Sequence, residues 1–145
     1  MAIALRGQGA SPDGRPIRFA PADRPARGYI GFKVRKEFDR QLAPQTRHLL
    51  GGLTSLNCAG REYIAILGGE REFNLYRRTK PWDHAAGALM VEEAGGLAQR
   101  FDGSPYDPAG STEGGIISAV APKVMAEVRS VYEAVQMPLL AVKPM

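Results

Sequence analysis

Glycine pairs punctuate the last two thirds of the chain, at Gly51-Gly52, Gly68-Gly69, Gly95-Gly96 and Gly114-Gly115, and the apolar pattern between them changes period. In SLNCAGREYIAIL, Leu56, Ala59, Tyr63 and Ile66 recur at helical spacing. This predicts an amphipathic helix capped by Ser55 and ended by Gly68-Gly69. EFNLYRR (72–78) sets Phe73 and Leu75 against Asn74 and Tyr76, the alternation of a half-buried strand. HAAGALMVEEA then favours a helix closed by Gly95-Gly96. LAQRF reads as a strand, DGSPYDPAGSTEGG as a loop and IISAV as a further strand. The last helix opens at Pro122 and carries Val124, Val128, Val131 and Val135 on one face. Alternating strands and helices imply an α/β layered sandwich, a mixed sheet covered by helices.

The first third is less regular. Residues 2–6 read as a strand, followed by a turn at Asp13-Gly14 and a short strand through Ile17. A proline-bearing connection leads to GYIGFKV (28–34), expected as another strand. Residues 35–50 place Phe38, Leu42, Leu49 and Leu50 on a loose helical spacing that Pro44 must interrupt. With 145 residues the chain suits one domain, 1–145.

Charge narrows the partners. The net charge of +4 invites a nucleic-acid reading, but acidic residues are interleaved with basic ones and no block of like charges appears, so nucleic acid is not expected as a partner. Only Arg77, Arg78 and Lys80 cluster tightly, which suits a small phosphorylated substrate as well as a polymer. No apolar run is long enough for a membrane span, and MAIALRGQG lacks the pattern of a signal peptide; a cytoplasmic location is the expectation. The single cysteine, Cys58, lies in an apolar helical pattern and is expected to be a buried, inert thiol.

The richest stretch is KPWDHAAGALMVEEAGG (80–96). Asp83 stands where an N-cap carboxylate should, before a run of helix formers. Trp82 reads as a core aromatic and His84 as a surface residue of the first turn. His48 has no partner that the pattern names. Glu92 and Glu93 fall roughly 13–15 Å from Asp83 along a helix, too far to share a ligand with it.

Taken together, Trp82, Asp83, Ala85, Ala86, Gly87, Glu93, Ala94, Gly95 and Gly96 resemble the C-terminal signature of the inositol monophosphatase family, magnesium-dependent and lithium-sensitive phosphatases of sugar and polyol phosphates. Arg6-Gly7-Gln8-Gly9-Ala10 with Asp13-Gly14-Arg15-Pro16-Ile17 is similar to the family's hairpin, Asp102-Gly103-Ser104-Pro105-Tyr106 to the turn after the signature, and IISAVAPKV to the strand before the last helix. The resemblance implies that Asp83 is a ligand for Mg²⁺, and magnesium accepts such hard oxygen donors. It also implies further ligands from an upstream glutamate and an Asp-Pro-x-Asp-Gly-Thr segment, which this sequence does not contain. The chain therefore resembles the C-terminal lobe, expected to be inactive alone and to work with an N-terminal half in cis or on another chain. Tyr76 stands where inositol-specific relatives carry an acidic residue, and with Arg77, Arg78 and Lys80 it is the candidate substrate-binding group. The alternative is a non-catalytic module that forms a homodimer or binds a partner; either way an uncovered apolar face and self-association are expected.

Overall fold

The computed structural model describes residues 1–20, 23–41 and 50–135. The expectations for Leu42, Pro44, His48 and Leu49 lie outside the described residues, as does the side chain of Leu50. The elements run β1 (Ile3–Leu5), β2 (Gly9–Ser11), β3 (Ala26–Ile30), α1 (Phe32–Gln41), β4 (Leu50–Thr54), α2 (Ala59–Leu67), β5 (Phe73–Tyr76), α3 (Pro81–Glu93), β6 (Leu97–Gln99), β7 (Ile116–Ala119) and α4 (Pro122–Ala134).

The expected mixed sheet is present, in the order β4-β3-β5-β7-β6. β3 is parallel to both β4 and β5, whereas β7 runs antiparallel to β5 and β6. Register assigns the two faces. Asn74 lies opposite Ser118 and Tyr76 opposite Ile116, so these four share a face. That face receives α2 and α3, because Tyr63 of α2 bonds Ser118 and His84 of α3 meets the Tyr76 ring. Gln99 lies opposite Ile117 on the other face, and Arg129 of α4 donates to Gln99, so α4 covers that side. Helix, sheet and helix thus form three layers. Phe73, Leu75, Ile117, Val128 and Val131 are fully buried in the continuous core.

Two stretches differ from their sequence patterns. The strand expected over 28–34 ends at Ile30, and Phe32 already begins α1. Val34 and Phe38, four residues apart, are buried while Lys33, Arg35 and Lys36 face solvent, so the period is helical. Leu50 and Gly51-Gly52 belong to the edge strand β4 rather than to a helix and its break. A Cβ on Gly51 would stand 2.7 Å from the carbonyl oxygen of Pro25, so glycine is what lets β4 lie against the chain entering β3.

The β1–β2 hairpin packs Ala4 and Ala10 against Leu67, Met90 and Ala94, and is fastened by a carboxylate. Glu93, at the end of α3, accepts from the N–H of Gly7 at 2.8 Å and of Gly9 at 2.9 Å. These bonds hold its carboxyl below the usual carboxylate range. Glu93 therefore earns its place in the signature as the clamp between α3 and the hairpin. At the opposite end, Glu72 is buried and would be pushed up by desolvation. Arg24 at 2.5 Å and the Arg27 N–H at 2.7 Å outweigh that and leave it lowered.

Candidate functional site

A cleft of about 710 Å³ opens where the N-terminus of α2, the end of β5 and the first turn of α3 converge. Local sequence explains how each wall is held. α3 begins at Pro81, which needs no N–H partner at the first helical position, so Lys80 rather than Asp83 is the cap residue. Asp83 is displaced into the first turn. It is exposed on the cleft, and its carboxylate makes no hydrogen bond or ion pair among the described residues. The helix dipole still favours its charge there.

α2 likewise starts later than the Ser55 cap would have it, at Ala59 after Cys58. The reason is Glu62. Its Oε1 accepts from the N–H of Leu56 at 2.7 Å and from the Ser55 hydroxyl at 3.2 Å, folding residues 55–58 into a loop with Asn57 at φ 55°. This loop forms one wall of the cleft. Cys58 sits in it and is exposed, contrary to the buried thiol expected from its apolar neighbours. Glu62 itself is buried, and its Oε2 has no partner among the described residues. Desolvation raises its pKa, and the bonds from Leu56 and Ser55 offset that only in part. A raised folded value means stability present below the unfolded value, near 4.5, and lost as pH rises through the folded one. Glu62→Gln keeps the acceptor and removes the buried charge. It is expected to raise stability at pH 7 by about 1 kcal/mol and to abolish that decline, read as the unfolding midpoint from pH 4 to 8.

Two more residues stand opposite to expectation. Trp82 is 78% exposed instead of buried, with the Lys80 ammonium 5.8 Å from its ring centre. It occupies the second position of α3, on the side that points away from the sheet. His84 is the residue that turns inward. It is 3% exposed, its Nδ1 lies 3.1 Å from the Tyr63 hydroxyl, and its ring sits 4.8 Å from that of Tyr76. Burial pushes its imidazole below the usual value, against the opposing pull of Asp83 and the backbone of Arg78.

Of the candidate substrate-side residues, Tyr76, Arg78 and Lys80 line the cleft together with Asp83. Arg77 is half-buried and does not line it. Arg78 is exposed, with Glu113 at 4.0 Å. The Tyr76 hydroxyl is buried without a partner among the described residues. Sequence pattern had not singled out Tyr63, which joins α2, α3 and β7 from beneath the cleft; only its place on the apolar stripe was visible.

Asp83 is the single carboxylate lining the cleft, and among the described residues no three His, Cys, Asp or Glu side chains gather around a common point. Magnesium is held by one or two carboxylates completed by waters and phosphate oxygens, and a two-metal phosphatase needs more. These residues do not by themselves fit such a centre.

Comparison with known proteins fits this geometry. The profile of the inositol monophosphatase family matches residues 1–136. SuhB of Neisseria meningitidis serogroup A, named as a candidate Nus factor, is 46% identical over 145 residues, a match spanning 91% of this chain and 51% of that protein. The Thermotoga maritima IMPase superposes with a TM-score of 0.69 at 25% identity, over 93% of this chain and 53% of that one. An IMPase/NADP phosphatase complexed with Mg²⁺ and phosphate does so with a TM-score of 0.68 at 19% identity, over 88% and 48%. The chain thus spans about half the length of the relatives it matches. A family profile met along nearly all of its residues, on the same layered fold, has one meaning: the chain belongs to the inositol monophosphatase family.

Proposed function

We propose that this chain is the C-terminal, substrate-side lobe of a magnesium-dependent phosphoric monoester hydrolase acting on a small sugar, polyol or nucleotide phosphate. The observation that carries the reading is the cleft itself: the carboxylate of Asp83, exposed and without a partner among the described residues, lies on one cleft with Arg78 and Lys80. A bound divalent ion would supply charge neutralisation of the phosphate and an activated water. The chain's own contribution is Asp83 as one ligand, and a cationic rim from Arg78 and Lys80, with Arg77 nearby, that draws in an anionic substrate. Tyr76 closes the substrate side with an aromatic ring where a carboxylate would repel a second phosphate. The remaining ligands come from an N-terminal half carrying the Asp-Pro-x-Asp-Gly-Thr segment.

Phosphate release from a panel of sugar, polyol and nucleotide phosphates, with Mg²⁺, tests this. Background rates are expected for the purified chain, and metal-dependent turnover once the N-terminal half is added. No turnover in the mixture overturns the reading.

A second reading is favoured by Phe32 and Trp82, which flank the cleft 65% and 78% exposed. In it the lobe is a non-catalytic module that pairs with itself or with the N-terminal half through this apolar rim. Light scattering separates the two: a homodimer that Trp82→Lys dissociates, and that gains no activity in the mixture, supports the module.

A further inference from the structure

The segment from residue 77 to 80 and the first turn of α3 carry Arg78, Lys80 and Asp83, yet α3 has no side-chain cap to hold its start. On the side away from the cleft, the Thr79 N–H donates to the Thr112 carbonyl at 2.9 Å and its hydroxyl to that of Ser111 at 3.3 Å. The other hold lies underneath and is buried. Tyr63 of α2 reaches His84 Nδ1 at 3.1 Å and the hydroxyl of Ser118, in the sheet, at 3.4 Å. The imidazole also bonds the backbone of Arg78. Donor and acceptor roles follow from chemistry. A backbone carbonyl only accepts, so the imidazole gives its proton to Arg78 and leaves Nδ1 to accept from Tyr63, which in turn accepts from Ser118. All three side chains are buried, so a lost link leaves a buried polar atom without its partner.

We propose that Tyr63 and His84 are positioning residues of the cleft: the buried chain Ser118, Tyr63, His84, Arg78 ties the cationic arm and the first turn of α3 to the interior strand β7, and so sets how tightly the cleft holds a phosphate group. This rests on the reading of the cleft as a phosphate-ester site. β7 is an interior strand buried along its whole length and Arg78 is exposed, so the chain carries the order of the core out to a side chain that packing alone does not restrain.

The test uses Tyr63→Phe, His84→Leu and His84→Asn, whose amide can replace Nδ1, with Tyr132→Phe as a control on the other side of the sheet. Two quantities are read: hydrogen exchange at the Thr79 and Asp83 amides, both bonded in this structure, and affinity for inorganic phosphate. Tyr63→Phe and His84→Leu are expected to speed exchange at these two amides and to weaken phosphate binding about fivefold. His84→Asn is expected to stay within about twofold of the parent, and Tyr132→Phe to change neither. If Tyr63→Phe lowers the unfolding midpoint but leaves both quantities at parental values, the network is core packing only and the proposal falls. If the parent itself does not bind phosphate, the phosphate-site reading fails. Exchange then decides the positioning role alone: acceleration confined to the two amides supports it, and uniform or absent acceleration overturns it.

Discussion

Asp83→Asn, in the chain combined with its N-terminal half, is expected to lower magnesium-dependent phosphate release by about a thousandfold. The substitution keeps the shape of the side chain and removes its charge, which is what a hard divalent ion binds. Little else depends on that carboxylate. It is exposed and bonds no other described residue, so only its interaction with the helix dipole is lost, about 0.5 kcal/mol. Activity and stability should therefore separate. The unfolding midpoint stays near that of the parent while turnover disappears, and raised Mg²⁺ restores part of it. Asp102→Asn is the matched control. That carboxylate accepts from the Ser104 N–H at 2.9 Å and its hydroxyl at 2.6 Å in a turn, and its loss should leave turnover unchanged. Full turnover in Asp83→Asn would remove Asp83 from the metal site.

Gly87→Ala is expected to have the largest effect on stability. Alanine ordinarily gains about 1 kcal/mol over glycine inside a helix. Here the added Cβ would fall within the ring of Tyr63, where α2 and α3 pack against each other. Tyr63 cannot step aside: it is 1% exposed and bonded to His84 and Ser118. Overpacking of such a site costs about 1–3 kcal/mol and more where nothing can relax, so the net expectation is a loss of about 2 kcal/mol. Denaturant midpoints measure it. Gly60→Ala, in the first turn of α2 with nothing near its Cβ, should instead be neutral or mildly stabilising. If both variants behave alike, close packing at Gly87 is not what holds these helices together.

How much of this was readable in advance follows from what each residue answers to. The period of the apolar residues carried β5 and α4, because alternation and helical spacing are local consequences of burying one face, while α3 was legible as a run of helix formers closed by Gly95-Gly96. Glycine pairs misled at β4, where Gly51-Gly52 serve close strand approach rather than a break. Side-chain burial around the motif was misjudged three times for one reason. Trp82, His84 and Cys58 lie at helix starts, where the direction a side chain faces depends on which residue begins the helix. Pro81 moved one start forward of Asp83, and Glu62 moved the other behind Ser55.

The sequence by itself pointed to the family, through the resemblance of its signature, and to the fold class, through its alternating strands and helices. It also singled out Asp83 and the basic residues beside it. Only the tertiary structure decided that Glu93 clamps the hairpin, that His84 faces inward to Tyr63 while Trp82 faces out, and that Arg78 and Lys80 share a cleft with Asp83 whereas Arg77 does not line it. The physical reason is separation along the chain. Glu93 and Gly7 are 86 residues apart, and Tyr63 and Ser118 are 55 apart. Such bonds form only after the layers have packed, and no local pattern encodes them.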